Sequence, residues 1–198
     1  MKKAFTLFIS LGLLLVLIAA PASAATIVFD PASETIDLGT SVTVDLVISD
    51  LGEDVALGAF DLEVTFDPAI LELTAVTFGD QLGFPSGFGS ISGFSSSPTG
   101  TISLFEISLE SIDDLNTNQA DSFILATLTF SATGAGVSSL DILNPILGDA
   151  EAYPLTAEIT SGSITVTAVP VPAVLVLFGS GLIGLFCGRK KERCSVSA

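Results

Sequence analysis

The nine residues Ala59-Phe60-Asp61-Leu62-Glu63-Val64-Thr65-Phe66-Asp67 constrain this chain more than any other stretch. In an extended strand successive side chains point to opposite faces, so Phe60, Leu62, Val64 and Phe66 share one face and Asp61, Glu63, Thr65 and Asp67 the other. Each of the four apolar side chains contributes about 1.5–3 kcal/mol of transfer free energy when fully buried. A slip of one residue would bury three carboxylates instead, which pins the register. Val42-Thr43-Val44-Asp45-Leu46-Val47-Ile48-Ser49 repeats the pattern, with its even positions apolar. Two such strands require a core with sheet on one side and water on the other.

The rest of the middle of the chain agrees. Asp67-Pro68 ends the first strand, because proline cannot donate to a ladder and aspartate favours a turn. Another strand is expected from Ile70 to Val76, and further ones at Thr101–Leu109, Phe123–Phe130 and Ser163–Thr167. No segment has a convincing amphipathic helical period, so the expected fold class is all-β, an antiparallel β-sandwich. From Gly79 to Gly100 the chain is rich in Gly and Ser, which predicts a flexible loop or an irregular strand pair. Phe84, Phe88 and Phe94 punctuate it, either as an aromatic contact surface or, the preferred reading, as pins holding a long loop to the sandwich. Gly148 to Ala157 reads as a loop and carries Tyr153, the single tyrosine.

Both ends have a different character. Lys2 and Lys3, the apolar run from Ala4 to Ala20 and the Ala22-Ser23-Ala24 site predict a secretory signal peptide over residues 1–24, cut before Ala25. At the other end, Val169-Pro170-Val171-Pro172-Ala173 precedes an uncharged apolar run, Val174 to Cys187, expected to be a hydrophobic helix, and then Arg189-Lys190-Lys191. Such an order holds a chain in a bilayer with its C-terminus inside, although the run is short of the ~20 residues of a typical span. Residues 25–168 remain as one domain, long enough to bury a core without disulfides. Both cysteines, Cys187 and Cys194, lie outside it.

Charge excludes most chemistry. Between Ala25 and Ala168 there are 21 of the 22 acidic residues and no Lys, Arg or His. A polyanion of this kind repels nucleic acid and phosphate ligands. Nucleophile-plus-base arrangements and phosphate clamps have no residues to build them, and zinc has no His or Cys. Paired carboxylates remain, and Glu63, Glu72, Glu106 and Glu110 are the candidates. Glu63 and Glu72 fall in outward phase. Glu106 shares its phase with Ile102 and Leu104, which buries it unless a bulge shifts the frame and returns it to solvent. The expectation is a protein that is not an enzyme. Asp114, Asn116 and Asn118 place oxygen atoms at alternate positions, the spacing of a weak Ca²⁺ loop, but a solvated inter-strand loop is the preferred reading. Beyond that possible Ca²⁺ no cofactor is expected.

Two resemblances add to this. The tail, with Val169-Pro170-Val171-Pro172-Ala173, Leu177-Phe178-Gly179-Ser180-Gly181-Leu182-Ile183-Gly184-Leu185 and Arg189-Lys190-Lys191, resembles the PEP-CTERM sorting signal. Val171 stands where that signal's Glu would be, and residues 192–198 extend past the basic block. The resemblance implies transient anchoring in the inner membrane of a Gram-negative bacterium, processing by an exosortase-type enzyme, and delivery to the cell surface or an exopolysaccharide matrix. The middle resembles a cohesin domain, through Leu38-Gly39-Thr40-Ser41-Val42, the Gly58 to Glu72 strand and turn, Ile124 to Phe130, and Gly162-Ser163-Ile164-Thr165-Val166. That resemblance implies a jelly-roll sandwich that recognises dockerin-like protein modules, with no contact residue assignable from the sequence. A polysaccharide-binding module and a structural, Ca²⁺-crosslinked matrix protein are the alternatives. Glycan binding is disfavoured by the lack of Trp, since flat stacking platforms are missing.

Overall fold

A computed structural model describes residues 24–168 apart from 53 and 86. The signal-peptide segment through residue 23, including Ala22, and the whole tail from Val169, including Pro170, Val171, Pro172, Ala173, Arg189, Lys190 and Lys191, lie outside the described residues. Among the described residues no helix is long and apolar enough to cross a membrane.

In chain order the strands are β1 (Ala25–Asp30), β2 (Ser33–Asp37), β3 (Ser41–Ser49), β4 (Leu57–Thr65), β5 (Leu71–Phe78), β6 (Ser90–Ser97) and β7 (Thr101–Ser108). A short helix, α1 (Ile112–Asn118), precedes β8 (Ser122–Ala132), β9 (Gly136–Asp149), β10 (Pro154–Leu155), β11 (Ala157–Thr160) and β12 (Gly162–Thr167). One sheet has the order β11-β1-β3-β8-β5 and the other β2-β12-β9-β4-β7-β6, with β10 against β9. The expected sandwich is present, and the two alternating strands sit in it as read. Val42, Val44, Leu46 and Ile48 of β3 face Phe60, Leu62 and Val64 of β4 through a single buried core. Phe66 lies just past the end of β4 and packs edge-on against Phe130, ring centroids 5.2 Å apart. Beyond it the Asp67 carboxylate accepts from the Ala69 amide at 2.9 Å, closing the turn at Pro68.

Four expectations are corrected. The sandwich is not wholly antiparallel: β1 runs parallel to β11, and β2 parallel to β12. The reason is that the first and last strands lie side by side and both cross from one sheet to the other, at Pro31 and at Ser161, so each sheet receives half of each. The Gly/Ser segment, expected as a flexible loop or an irregular strand pair, instead places Ser90–Ser97 in a strand that pairs with β7 in regular register. The Gly148–Ala157 segment is shorter as a loop than expected, because β9 continues through Asp149 and β10 pairs Pro154 with Gly148. Finally, residues 112–118 form a helix and not a solvated loop. Ser111 caps it, accepting from the Asp114 amide at 3.1 Å and donating to the Asp114 carboxylate at 2.6 Å, while buried Leu115 anchors its inner side. Capping of this kind favours a helix by about 0.5–2 kcal/mol.

Candidate recognition face

The outer surface of the β9-β4-β7-β6 sheet is assembled by register. Across the strands Ile91 lies opposite Ile107, which lies opposite Ala59, which lies opposite Gly148. The next row reads Gly93, Phe105, Asp61 and Ile146, and the third Ser95, Ser103, Glu63 and Leu143. Phe105, Ile107, Ile91, Leu143 and Ile146 are all exposed, Ile146 at 68%. Together with Ala59 and Pro154, three of them (Phe105, Ile107 and Ile146) line a groove of about 510 Å³. A contiguous apolar surface on a strongly charged domain marks an interaction site more than scattered exposed residues do.

Two local features make the patch. On β7, Phe105 and Ile107 occupy the outward phase, which is mostly polar on β3 and β4, so this strand carries large apolar side chains on its outer face as well as Ile102 and Leu104 on its inner one. The Phe105 ring lies over Gly93, where a Cβ would stand only 2.8 Å from it, and it covers the side of β6 that lacks a side chain. On β9 the ladder with β4 is interrupted between Asp61 and Glu63, so Asn144 and Pro145 together oppose Leu62. Asn144 takes a left-handed conformation, φ 50°, and the bulge absorbs a proline that an unbroken central strand would not admit. The bulge turns both Leu143 and Ile146 outward, which three residues of regular strand cannot do.

Within the patch Asp61 stands between Phe105 and Ile146, with no hydrogen-bond or ion-pair partner among the described residues. Glu63 beside it is half-buried and accepts from the Asn144 amide group at 3.0 Å. Glu72 is exposed on β5, as its phase predicts.

Glu106 lies on the other side of β7, inside the sandwich. The β4–β7 register is unbroken, so no bulge rescues it, and it is 1% exposed. It sits opposite Phe60 on one side and Ser92 on the other, and the Ser90 hydroxyl donates to its Oε1 at 2.5 Å. Burial pushes its carboxyl above the ordinary value of 4.5, with the Ser90 hydrogen bond acting in the opposite direction.

Glu110 has a different role. Its two oxygens accept from the backbone amides of Phe84, Phe88 and Gly89 at 3.2, 3.0 and 2.9 Å, and so fold the segment after β5 into a fixed loop. The pinning predicted for the phenylalanines is thus performed by this carboxylate. Phe84 is half-buried, whereas Phe88 is 80% and Phe94 50% exposed.

The candidate Ca²⁺ ligands do not converge. Residues two apart on a helix point about 200° apart, so α1 sends Asp114 and Asn118 to one side and Asn116 to the other. Asp114 and Asn118 border a cleft with Phe84 and Phe88, Asn116 a different one with Asp50 and Asp121. Among the described residues no group of three or more acidic, His or Cys side chains is placed to hold a metal ion.

The cohesin-domain family model matches residues 25–166, the whole of the sandwich. The chain belongs to the cohesin family. Cohesin domains are non-catalytic modules of protein–protein recognition. Among solved structures, the sixth cohesin of scaffoldin B from Acetivibrio cellulolyticus, in complex with a Cel5 dockerin mutant, is similar over 73% of this chain and 100% of its own, with TM-score 0.57 and 18% identity. The seventh ScaB type I cohesin from Pseudobacteroides cellulosolvens is similar over 75% and 96%, with TM-score 0.58 and 21% identity. A non-cellulosomal cohesin from the archaeon Archaeoglobus fulgidus is similar over 73% and 92%, with TM-score 0.56 and 15% identity. At such identities these likenesses speak for the cohesin fold. Among curated proteins no match is found.

The candidate face was not located in the sequence. The signal was present in Phe105 and Ile107, two large apolar residues in the phase that other strands reserve for polar ones. The contribution of β9 was not legible, because Leu143 and Ile146 share a face only through the bulge.

Proposed function

We propose that this cohesin domain is an exported, non-catalytic adhesion module that binds a dockerin-like protein through the outer face of β9-β4-β7-β6. The observation that carries the reading is the apolar groove of Phe105, Ile107 and Ile146 around Asp61, in a domain with 21 carboxylates and no Lys, Arg or His. A partner that covers the groove removes water from Asp61, and an uncompensated buried carboxylate is costly. The fitting partner therefore presents apolar side chains together with a hydrogen-bond donor or a Lys or Arg opposite Asp61, which this domain cannot supply itself. Titration of the protein with dockerin modules encoded in its host genome, read by calorimetry, tests this. Phe105→Ala and Ile146→Ala are each expected to weaken binding at least about tenfold, since central apolar anchors dominate such interfaces. Both side chains are exposed, so the fold stays intact. Absence of binding to any dockerin, or binding that ignores both substitutions, overturns the reading.

Export and sorting rest on the two ends. The basic and apolar N-terminus with Ala22-Ser23-Ala24 supports secretion, and the Pro170/Pro172, apolar and Arg189-Lys190-Lys191 order supports an exosortase-type processing step at the inner membrane of a Gram-negative cell. The mature domain is then displayed at the surface or released into an exopolysaccharide matrix. Intact mass spectrometry of the protein from its host is expected to find, in extracellular material, a species that begins at Ala25 and ends near Val169–Ala173. An intact C-terminus through Ala198 confined to the membrane fraction removes the sorting step.

A further inference from the structure

Apart from the two-residue β10, the outermost strands of the sandwich are β2, β5, β6 and β11. An outermost strand leaves unpaired N–H and C=O groups, and proteins ordinarily blunt such an edge with charge, proline or a bulge. Three of the edges here are blunted: β2 carries Glu34 and Asp37, β11 carries Glu158, and β5 carries Glu72 and a bulge between Leu73 and Ala75. The fourth is not. β6 has eight residues, Ser90–Ser97, with no charge and no proline, and it pairs with β7 in unbroken register. It belongs to an uncharged stretch from Gln81 to Phe105, within a domain that carries 21 carboxylates and no cation. Ile91 and Phe94, on opposite faces of this edge, are 55% and 50% exposed.

We propose that the β6 edge is a strand-pairing site for a second copy of this chain, joined antiparallel across a twofold axis. Charge selects the occupant. Two copies of a polyanion repel wherever their carboxylates face each other, and among these four edges this is the one whose own strand carries none, Glu110 and Glu72 standing only beside its two ends. A cationic foreign partner would be drawn instead to the acidic surfaces. A twofold contact requires a self-complementary surface, and a neutral row of backbone donors and acceptors is complementary to itself. Pairing there continues the β9-β4-β7-β6 sheet into its copy, so two outer faces lie side by side. The inference stands without any dockerin-like partner and is measured in its absence.

Sedimentation of the full chain in density-matched detergent tests it. The expected result is a species of twice the monomer mass at high protein concentration, with association strengthening as salt screens the carboxylates. Ser95→Asp with Ser97→Asp, both at exposed positions on β6, is expected to weaken association at least about tenfold, because like charges are brought together across the new pair. Thr35→Asp on the β2 edge is expected to leave it unchanged. Hydrogen exchange of the unaltered chain provides a second reading, in which amides of residues 90–97 gain protection as concentration rises. A monomer at every concentration and salt overturns the proposal. So does a dimer that ignores the β6 charges, or one that Ile146→Asp dissolves, which would place the contact on the apolar groove.

Discussion

Phe60→Ala is expected to lower the stability of the domain by about 3–5 kcal/mol, the range for removing a fully buried aromatic side chain from a packed core. Phe60 is 2% exposed, and its ring stands 6.4 Å from that of Phe78. A domain of this size is stable by only about 5–15 kcal/mol in total, so the loss is a large fraction. The cost also depends on pH, since Phe60 lies directly opposite Glu106 in the β4–β7 ladder. A cavity beside Glu106 admits water and eases ionisation of its carboxyl, which offsets part of the loss once that group is charged. Urea unfolding of both proteins is thus expected to show a larger difference in acid than near neutral pH. Equal differences at the two pH values would mean that the cavity stays dry.

Glu106→Gln is expected to flatten the pH dependence of stability. Burial raises the folded-state pKa above 4.5, so the folded domain holds this proton more tightly than the unfolded chain does. The stabilising contribution is complete below the unfolded value and is lost as pH rises through the raised folded value. Above that, the native protein carries a charged carboxylate in its core. Between about pH 4 and pH 8 the stability of the parent relative to the glutamine variant should fall by about 1.4 kcal/mol for each unit of the shift. The twenty other carboxylates of the domain are common to both proteins, so their mutual repulsion cancels in the comparison. Parallel stability profiles for parent and variant would show that Glu106 has the same pKa in the folded and unfolded states, so that its burial does not shift it.

The candidate recognition face and the core were unequally legible. The faces of β3 and β4 could be read directly, because strict alternation of large apolar and charged residues makes every other register cost buried carboxylates. Glu106 was legible in part: its phase with Ile102 and Leu104 pointed inward, and a bulge was the open alternative until the unbroken β7 ladder decided it. For α1 the sequence misled, because oxygen-bearing side chains at alternate positions look like a loop until Ser111 and Asp114 cap a helix and Leu115 finds the core. The groove was hidden for a different reason. Ile146 meets Asp61, and Phe105 covers Gly93, only across strands far apart in the chain.

By itself the sequence determined that this protein is a sandwich with one core, that its domain contains no internal ion pair or disulfide, and that a cationic group near Asp61 must come from elsewhere. These follow from residue type and period, which act locally. Only the tertiary structure decided that β1 and β2 run parallel to β11 and β12, that the Asn144-Pro145 bulge turns Leu143 and Ile146 to the same side, and that β6 is an edge. Alternation tells which side chains leave a strand together. It does not tell which strand lies beside it, and a groove or an unpaired edge exists only once that neighbour is known.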